Sequence, residues 1–177
     1  DTSSDSPAWL PGPSLRTARA FLGLAALGGK LYAAGGRTTS GDALSSVEVL
    51  DTTAASLAWS TVQHLTTARW SFGLAALGGK LYAVGGYTGT AILSSVEVLD
   101  PAKASPAWES GPNLTTTRYG FGLAALGGKL YAVGGCCALA TIEVLDTSSA
   151  SPAWRPGPSL ATARTEFGLA ALNATLY

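Results

Sequence analysis

The chain copies one phrase several times over, and that repetition limits its possible folds more than any other property. "LAALGGKLYAVGG" starts at Leu74 and again at Leu123, a near copy with Ala34 in place of Val runs from Leu24 to Gly36, and a further start at Leu169 reads "LAALNATLY". Trp9, Trp59, Trp108 and Trp154 keep step with the phrase at intervals of 50, 49 and 46 residues. Between them the order is constant: an Arg, an apolar run, Gly-Gly-Lys, "LYAVGG", a variable loop, "VEVLD", a Ser/Ala/Pro linker and "AW". Agreement of separate signals on one period marks a repeat architecture. A unit too small to bury its own apolar faces covers them with its neighbours.

Each unit reads as four short strands. "FGLAAL", Phe72 to Leu77, is small or apolar at every position, as a strand covered on both faces is. Gly78-Gly79 suits a hairpin turn of type I′, whose central residues both take positive φ. "KLYAVGG" is the return strand. Its closing pair Gly85-Gly86, like Gly35-Gly36 and Gly134-Gly135, removes side chains where a neighbouring backbone or ring comes close. "SSVEVLD" sets Val96 and Val98 against Ser95, Glu97 and Leu99, the pattern of a half-buried third strand. A fourth strand surrounds the Trp and runs into "GP" turns. Paired glycines, β-branched runs and the lack of a helical period argue against a helical solenoid. Sheets stacked around an axis remain: an all-β architecture of propeller blades.

Composition narrows the function. The 177 residues are 47% hydrophobic and 12% charged, which argues against disorder. Lys plus Arg equals Asp plus Glu at 11 each, with no charge run, so neither nucleic acid nor an anionic membrane surface is an expected partner. The apolar runs are broken by Gly pairs and fall well short of the ~20 residues a membrane helix needs, so no direct membrane insertion is expected. No secretory leader pattern opens the chain, and the location is left unknown, with the cytoplasm slightly favoured. The sequons at Asn113 and Asn173, both in expected turns, keep a secreted or lumenal location open. The chain has no Met and opens on "DTSSDSPAW", wording that matches the middle of later repeats, so it reads as an internal piece of a longer protein.

The Gly-Gly pair closing the second strand, the Val-Glu-Val strand, the Trp after its Asp, the preceding Arg and the wording "GGKLYAVGG" together resemble a kelch repeat. The resemblance covers full repeats at 19–68, 69–117 and 118–163, an outer strand within 1–18, and a partial repeat at 164–177. It implies a kelch-type β-propeller of four-stranded antiparallel blades, built as one domain or part of one. One departure is that Leu50, Leu99 and Leu145 stand where the family usually has Tyr, so they fill core without a hydroxyl to hydrogen-bond. Between each Tyr and its Asp lie 18, 17 and 14 residues. A start on Asp1 and an end on Tyr177 therefore leave one such segment plus a whole number of repeats outside the chain. With none added the ring has four blades; with two it has six, the size the resemblance favours. Asp1–Leu10 would then be the outer strand of the blade that Phe167–Tyr177 begins.

Repeated and variable residues suggest different jobs. Trp9, Trp59, Trp108 and Trp154 are read as packing against the adjacent blade rather than as ligand platforms. Arg19, Arg69, Arg118 and Arg164, with Glu48, Glu97 and Glu143, are read as a repeated Arg–carboxylate bond rather than an Arg-lined mouth. His64 is the only histidine and lies in a linker without a nucleophile elbow, so no catalytic residue, metal or cofactor is expected. Cys136 and Cys137 are read as two free thiols rather than a strained vicinal disulfide or a soft-metal site.

The copies differ at Arg37 to Asp42, Tyr87 to Ala91 and Cys136 to Ala138, and at Ala20, Trp70, Tyr119 and Glu166, which open the first strands. The family resemblance puts these on one face that commonly binds a partner, and rigid scaffolds concentrate binding in such loops. Arg37, Trp70, Tyr87, Tyr119 and Glu166 are therefore the expected partner-binding residues, the aromatic ones as hot spots. The expected function is a non-catalytic interaction module, scaffold or adaptor for protein partners. Its alternatives are a structural subunit of a larger complex, or the non-catalytic portion of a propeller enzyme or lectin.

Overall fold

The computed structural model describes residues 11–177, so the expectations for Trp9 and Asp1–Leu10 lie outside the described residues. Every regular element is a strand. The first sheet holds β1 (Gly23–Leu27), β2 (Lys30–Ala34), β3 (Val47–Asp51) and β4 (Trp59–Val62) in sequence order. The second holds β5 (Gly73–Leu77), β6 (Lys80–Val84), β7 (Val96–Leu99) and β8 (Trp108–Ser110). The third holds β9 (Gly122–Leu126), β10 (Lys129–Val133), β11 (Ile142–Asp146) and β12 (Trp154–Pro156). All three are antiparallel meanders, and β13 (Ala171–Leu172) with β14 (Thr175–Leu176) starts a fourth unit. Successive sheets meet through their first strands, β1 against β5 and β5 against β9. These are propeller blades, and the described sheets leave the ring open.

The two kinds of Gly-Gly pair do different work. Gly78 and Gly79 turn the β5–β6 hairpin at φ 59° and 75°, as the type I′ reading requires, and face open space. In the last unit Asn173 and Ala174 make the same turn at φ 48° and 61°. Gly85 and Gly86 are sockets. A Cβ on Gly85 would stand 2.7 Å from the Arg118 carbonyl and 3.1 Å from the Phe121 ring of the next blade. One on Gly86 would stand 2.6 Å from Cβ of Phe72 in its own blade. Phe72 occupies Gly35 of the first blade in the same way, and Phe167 occupies Gly134 of the third. Each blade thus seats the next blade's Phe in a hollow that only Gly leaves.

Between the sheets lie two apolar layers. One joins Tyr32, Val49 and Leu65 of the first blade and its linker to Phe72, Leu81, Leu99 and Trp108 of the second. The other joins Tyr82, Val96 and Leu114 to Phe121, Leu130, Leu145 and Trp154. The indole N–H groups of Trp59, Trp108 and Trp154 donate to the carbonyls of Pro13, Gln63 and Pro112, at 2.9–3.1 Å, each in the stretch leading up to its blade. These three tryptophans are structural. Leu50, Leu99 and Leu145 pair across the sheet with them and are buried, filling the place of the family's Tyr.

The half-buried reading of the third strand needs correction. Val47, Glu48, Val49 and Leu50 are all buried, and so is Glu97 between Val96 and Leu99. Alternation usually turns its polar residue to water, but here a guanidinium reaches in to meet it.

Candidate partner-binding rim

The rim is assembled on those buried arginines. Arg69 approaches just ahead of β5, and its Nη2 donates to Glu97 Oε1 at 2.7 Å while Nη1 donates to the carbonyls of Gly85 and Ser95. The second oxygen of Glu97 accepts from the Thr66 amide. Arg19 with Glu48 and Arg118 with Glu143 repeat the arrangement, and all three guanidinium-bearing side chains are fully shielded from solvent. Burial works to raise the Glu48 carboxyl, but the Arg16 amide, the Arg19 guanidinium and the Thr17 amide hold it below the usual carboxylate range. Glu143 is held low in the same way, against burial, by the Thr115 amide and hydroxyl and by Arg118. Burial lowers Arg69, and Glu97 opposes that shift. The backbone carbonyl of Arg69 also accepts from Gly36 of the preceding blade at 2.9 Å. These arginines are struts within and between blades, which overturns the Arg-lined mouth at all three positions. Arg164 is exposed.

One residue beyond each Arg, the backbone pairs with the residue after the socket glycines. Ala20 bridges Arg37, Trp70 bridges Tyr87, and the Cys136 amide donates to the Tyr119 carbonyl at 2.8 Å. This spacing carries side chains from separate loops to one place. The Trp70 ring centroid lies 5.2 Å from Tyr87, 5.7 Å from Phe21 and 6.1 Å from Tyr119, and Tyr87 lies 5.6 Å from Tyr119. Arg37 covers the cluster, its Cζ 4.8 Å from the Phe21 centroid and 4.9 Å from that of Trp70. At these distances a guanidinium is attracted to the ring faces. The Trp70 indole N–H is shielded and has no hydrogen-bond partner among the described residues.

A second residue beyond each Arg continues the rim toward the axis. Phe21, Ser71, Gly120 and Glu166 all take positive φ, between 48° and 60°. Their backbones form a relay: Ser71 donates to Phe21, Gly120 to Ser71 and Glu166 to Gly120, at 2.7–2.9 Å. Left-handed backbone at Phe21, Ser71 and Glu166 is costly for residues with a Cβ, and such strain gathers at sites where surrounding structure enforces it. Phe21, Leu22, Ser71, Phe72, Gly120, Phe121 and Glu166 line a cleft of about 370 Å³.

Arg37, Trp70, Tyr87 and Tyr119 therefore come together, and Glu166 stands across the cleft beside Gly120. Glu166 is not the counterpart of Ala20, Trp70 and Tyr119, as the sequence reading had it; Thr165 is, and Glu166 falls in register with Phe21, Ser71 and Gly120. The sequence reading also passed over Phe21, which is exposed although it sits beside an apolar strand. Its signal was the bulky residue at a position where the other copies carry Ser, Gly and Glu. His64 is exposed in its linker. Cys136 and Cys137 are free thiols, one buried and one exposed. Among the described residues no group of three or more His, Cys, Asp or Glu side chains is placed to hold a metal ion, and no helix is long and apolar enough to cross a membrane.

Antiparallel four-stranded blades, joined through their first strands and carrying a loop-built rim, define a repeat protein of the propeller class. The kelch motif matches residues 18–66, 68–115 and 117–161, and the chain belongs to the kelch-repeat family. No curated protein matches the chain. Kelch repeats commonly mediate protein–protein interactions and are generally non-catalytic scaffolds.

Proposed function

We propose that this chain is a non-catalytic module that binds a protein partner on the rim formed by Phe21, Arg37, Trp70, Tyr87 and Tyr119, with Glu166 across the cleft. One observation carries the reading: aromatic rings from three blades converge into a single partly exposed cluster capped by a cation. Nothing in blade packing requires this convergence. The residues that hold blades together recur: the Trp and the Arg–Glu pair in each of the three described blades, and the Phe plug at Phe72, Phe121 and Phe167, whereas the cluster is made from residues that differ. Large aromatic side chains and Arg dominate binding energy at interfaces, because they bury much surface with few torsions to freeze. Arg37, stacked over the Phe21 and Trp70 rings, adds a positive charge at the centre of that surface.

The test uses peptides selected from a displayed random library on the full chain. Trp70→Ala combined with Tyr119→Ala should weaken their binding by about 30-fold or more, the loss expected of a hot spot. Lys80→Ala combined with Asp100→Ala, at the opposite end of β6, should leave binding within about twofold, as expected of an exposed ion pair. Peptides that bind both double variants equally would refute the site.

A further inference from the structure

The loop after β10 departs from its two counterparts. After the socket glycines the first blade continues with Arg37 and the second with Tyr87, whereas the third continues with Cys136 and Cys137, the only cysteines in the chain. Cys137 and Ala138 take φ 64° and 59°, one residue beyond Gly134 and Gly135 at 64° and 120°. In the other two loops every left-handed residue is a glycine. Here two successive residues with a Cβ are held in that region, a costly conformation that the fold enforces. The result is an asymmetric pair of thiols. Cys136 is buried at 6% exposure, with its amide fixed to the Tyr119 carbonyl, and Cys137 is open to solvent.

We propose that Cys136 and Cys137 form a reversible redox pair that a peroxide closes into a disulfide across their shared peptide bond. The exposed Cys137 thiolate attacks a peroxide oxygen, the O–O bond breaks, and the leaving hydroxide takes up a proton to become water. Cys137 is then a sulfenic acid. Cys136 loses its proton and attacks that sulfur, the S–O bond breaks, and a second water leaves. The two thiols give up two electrons and two protons in all, and hydrogen peroxide is reduced to two waters. Burial pushes the Cys136 thiol up, which suits a resolving rather than an attacking role. Adjacent Cα atoms lie about 3.8 Å apart, closer than in ordinary disulfides, so the bond is strained, oxidising and easily reduced. That is the behaviour of a switch rather than a staple. Because Cys136 holds the rim position of Arg37 and Tyr87, the change falls on the face proposed for partner binding; its chemistry does not depend on that reading.

The experiment treats the native chain with one equivalent of hydrogen peroxide, denatures it, alkylates the remaining thiols with iodoacetamide, and weighs the digest. The peptide carrying both cysteines should lose two hydrogens, on the order of 2 Da, take up no alkyl group, and recover both thiols after dithiothreitol. Cys136→Ser should not form the ring, and its Cys137 should proceed to sulfinic acid or to a disulfide-linked dimer. Urea-unfolded chain should close the ring at least tenfold more slowly, because the fold positions the thiols. Two alkylated thiols after peroxide, a Cys137-linked dimer of the unsubstituted chain, or an equal rate in urea would each overturn the proposal.

Discussion

Within a blade, one guanidinium is shared between a carboxylate and several carbonyls. Arg118 donates to Glu143 and to the carbonyls of Gly134 and Thr141, so a side chain ties together the ends of β10 and β11. Removing one member of a buried pair leaves a stranded charge, and costs of about 3–5 kcal/mol are usual. The exposed Lys30–Asp51, Lys80–Asp100 and Lys129–Asp146 pairs are worth about 1 kcal/mol or less. Glu48 and Glu143 both lie below 4.5 when folded. A carboxyl lowered by folding adds stability that is complete above its unfolded value and disappears as pH falls through its folded one. The urea midpoint should therefore stay level from neutral pH to about 5 and then drop below 4.5, the ordinary value of both groups. Glu48→Gln should lower the neutral plateau and flatten the acid limb; an unchanged acid limb would assign the loss to other carboxylates, such as Asp146, which is lowered to about 2. The pairing itself was legible, because Arg and Glu recur at fixed places in each unit. Their complete burial was not, since strand alternation puts Glu97 on a face that usually meets water.

The strand hairpins and the sockets use the same dipeptide for opposite reasons. Gly78 needs only its positive φ, 59°, and the matching turn at Asn173 shows that Asn can supply it. Gly85 needs the positive φ, 60°, and also the absence of a Cβ against the Arg118 carbonyl at 2.7 Å. Gly78→Asn should therefore change stability by less than about 1 kcal/mol, whereas Gly85→Asn should cost about 1–3 kcal/mol, read from chemical denaturation. Equal costs would mean that conformation alone governs both sites. Sequence spacing located both pairs and the close approach at the second, but the letters are identical and give no hint of which neighbour arrives. The misplacement of Glu166 has a different cause, since its register can be counted from the repeated Arg. Counting from the Arg, Thr165 stands where Tyr119 does and Glu166 where Gly120 does, and the backbone relay from Glu166 to Gly120 agrees with that register.

Across the molecule, stability depends on contacts between neighbouring blades. The Phe121 ring enters the Gly85 socket, and Phe121 belongs to the layer that joins the second and third blades. In such an array each unit is coupled mainly to the next, so weakening one junction separates the array into parts. Phe121→Ala should cost about 3–5 kcal/mol and split a single calorimetric transition into two. A single transition at lower temperature would show that coupling reaches beyond neighbours. The period alone revealed this arrangement, because equal intervals of Trp, Arg and paired Gly leave little else for a small sheet to do. Convergence of Phe21, Trp70, Tyr87 and Tyr119 was legible only as separate variable positions. Their meeting depends on loop paths that no single repeat specifies.

The backbone relay through Phe21, Ser71, Gly120 and Glu166 runs in one sense, each later blade donating to the one before it. Ser71 and Gly120, in the two middle units, therefore each give one amide and receive at one carbonyl. A gene duplication that inserted a whole unit would restore the circuit at both new joints, while an insertion of part of one would break it. Lineages built this way can gain or lose length only in whole turns of the pattern, and the near-identical wording of these copies is what recent growth by that route would leave behind.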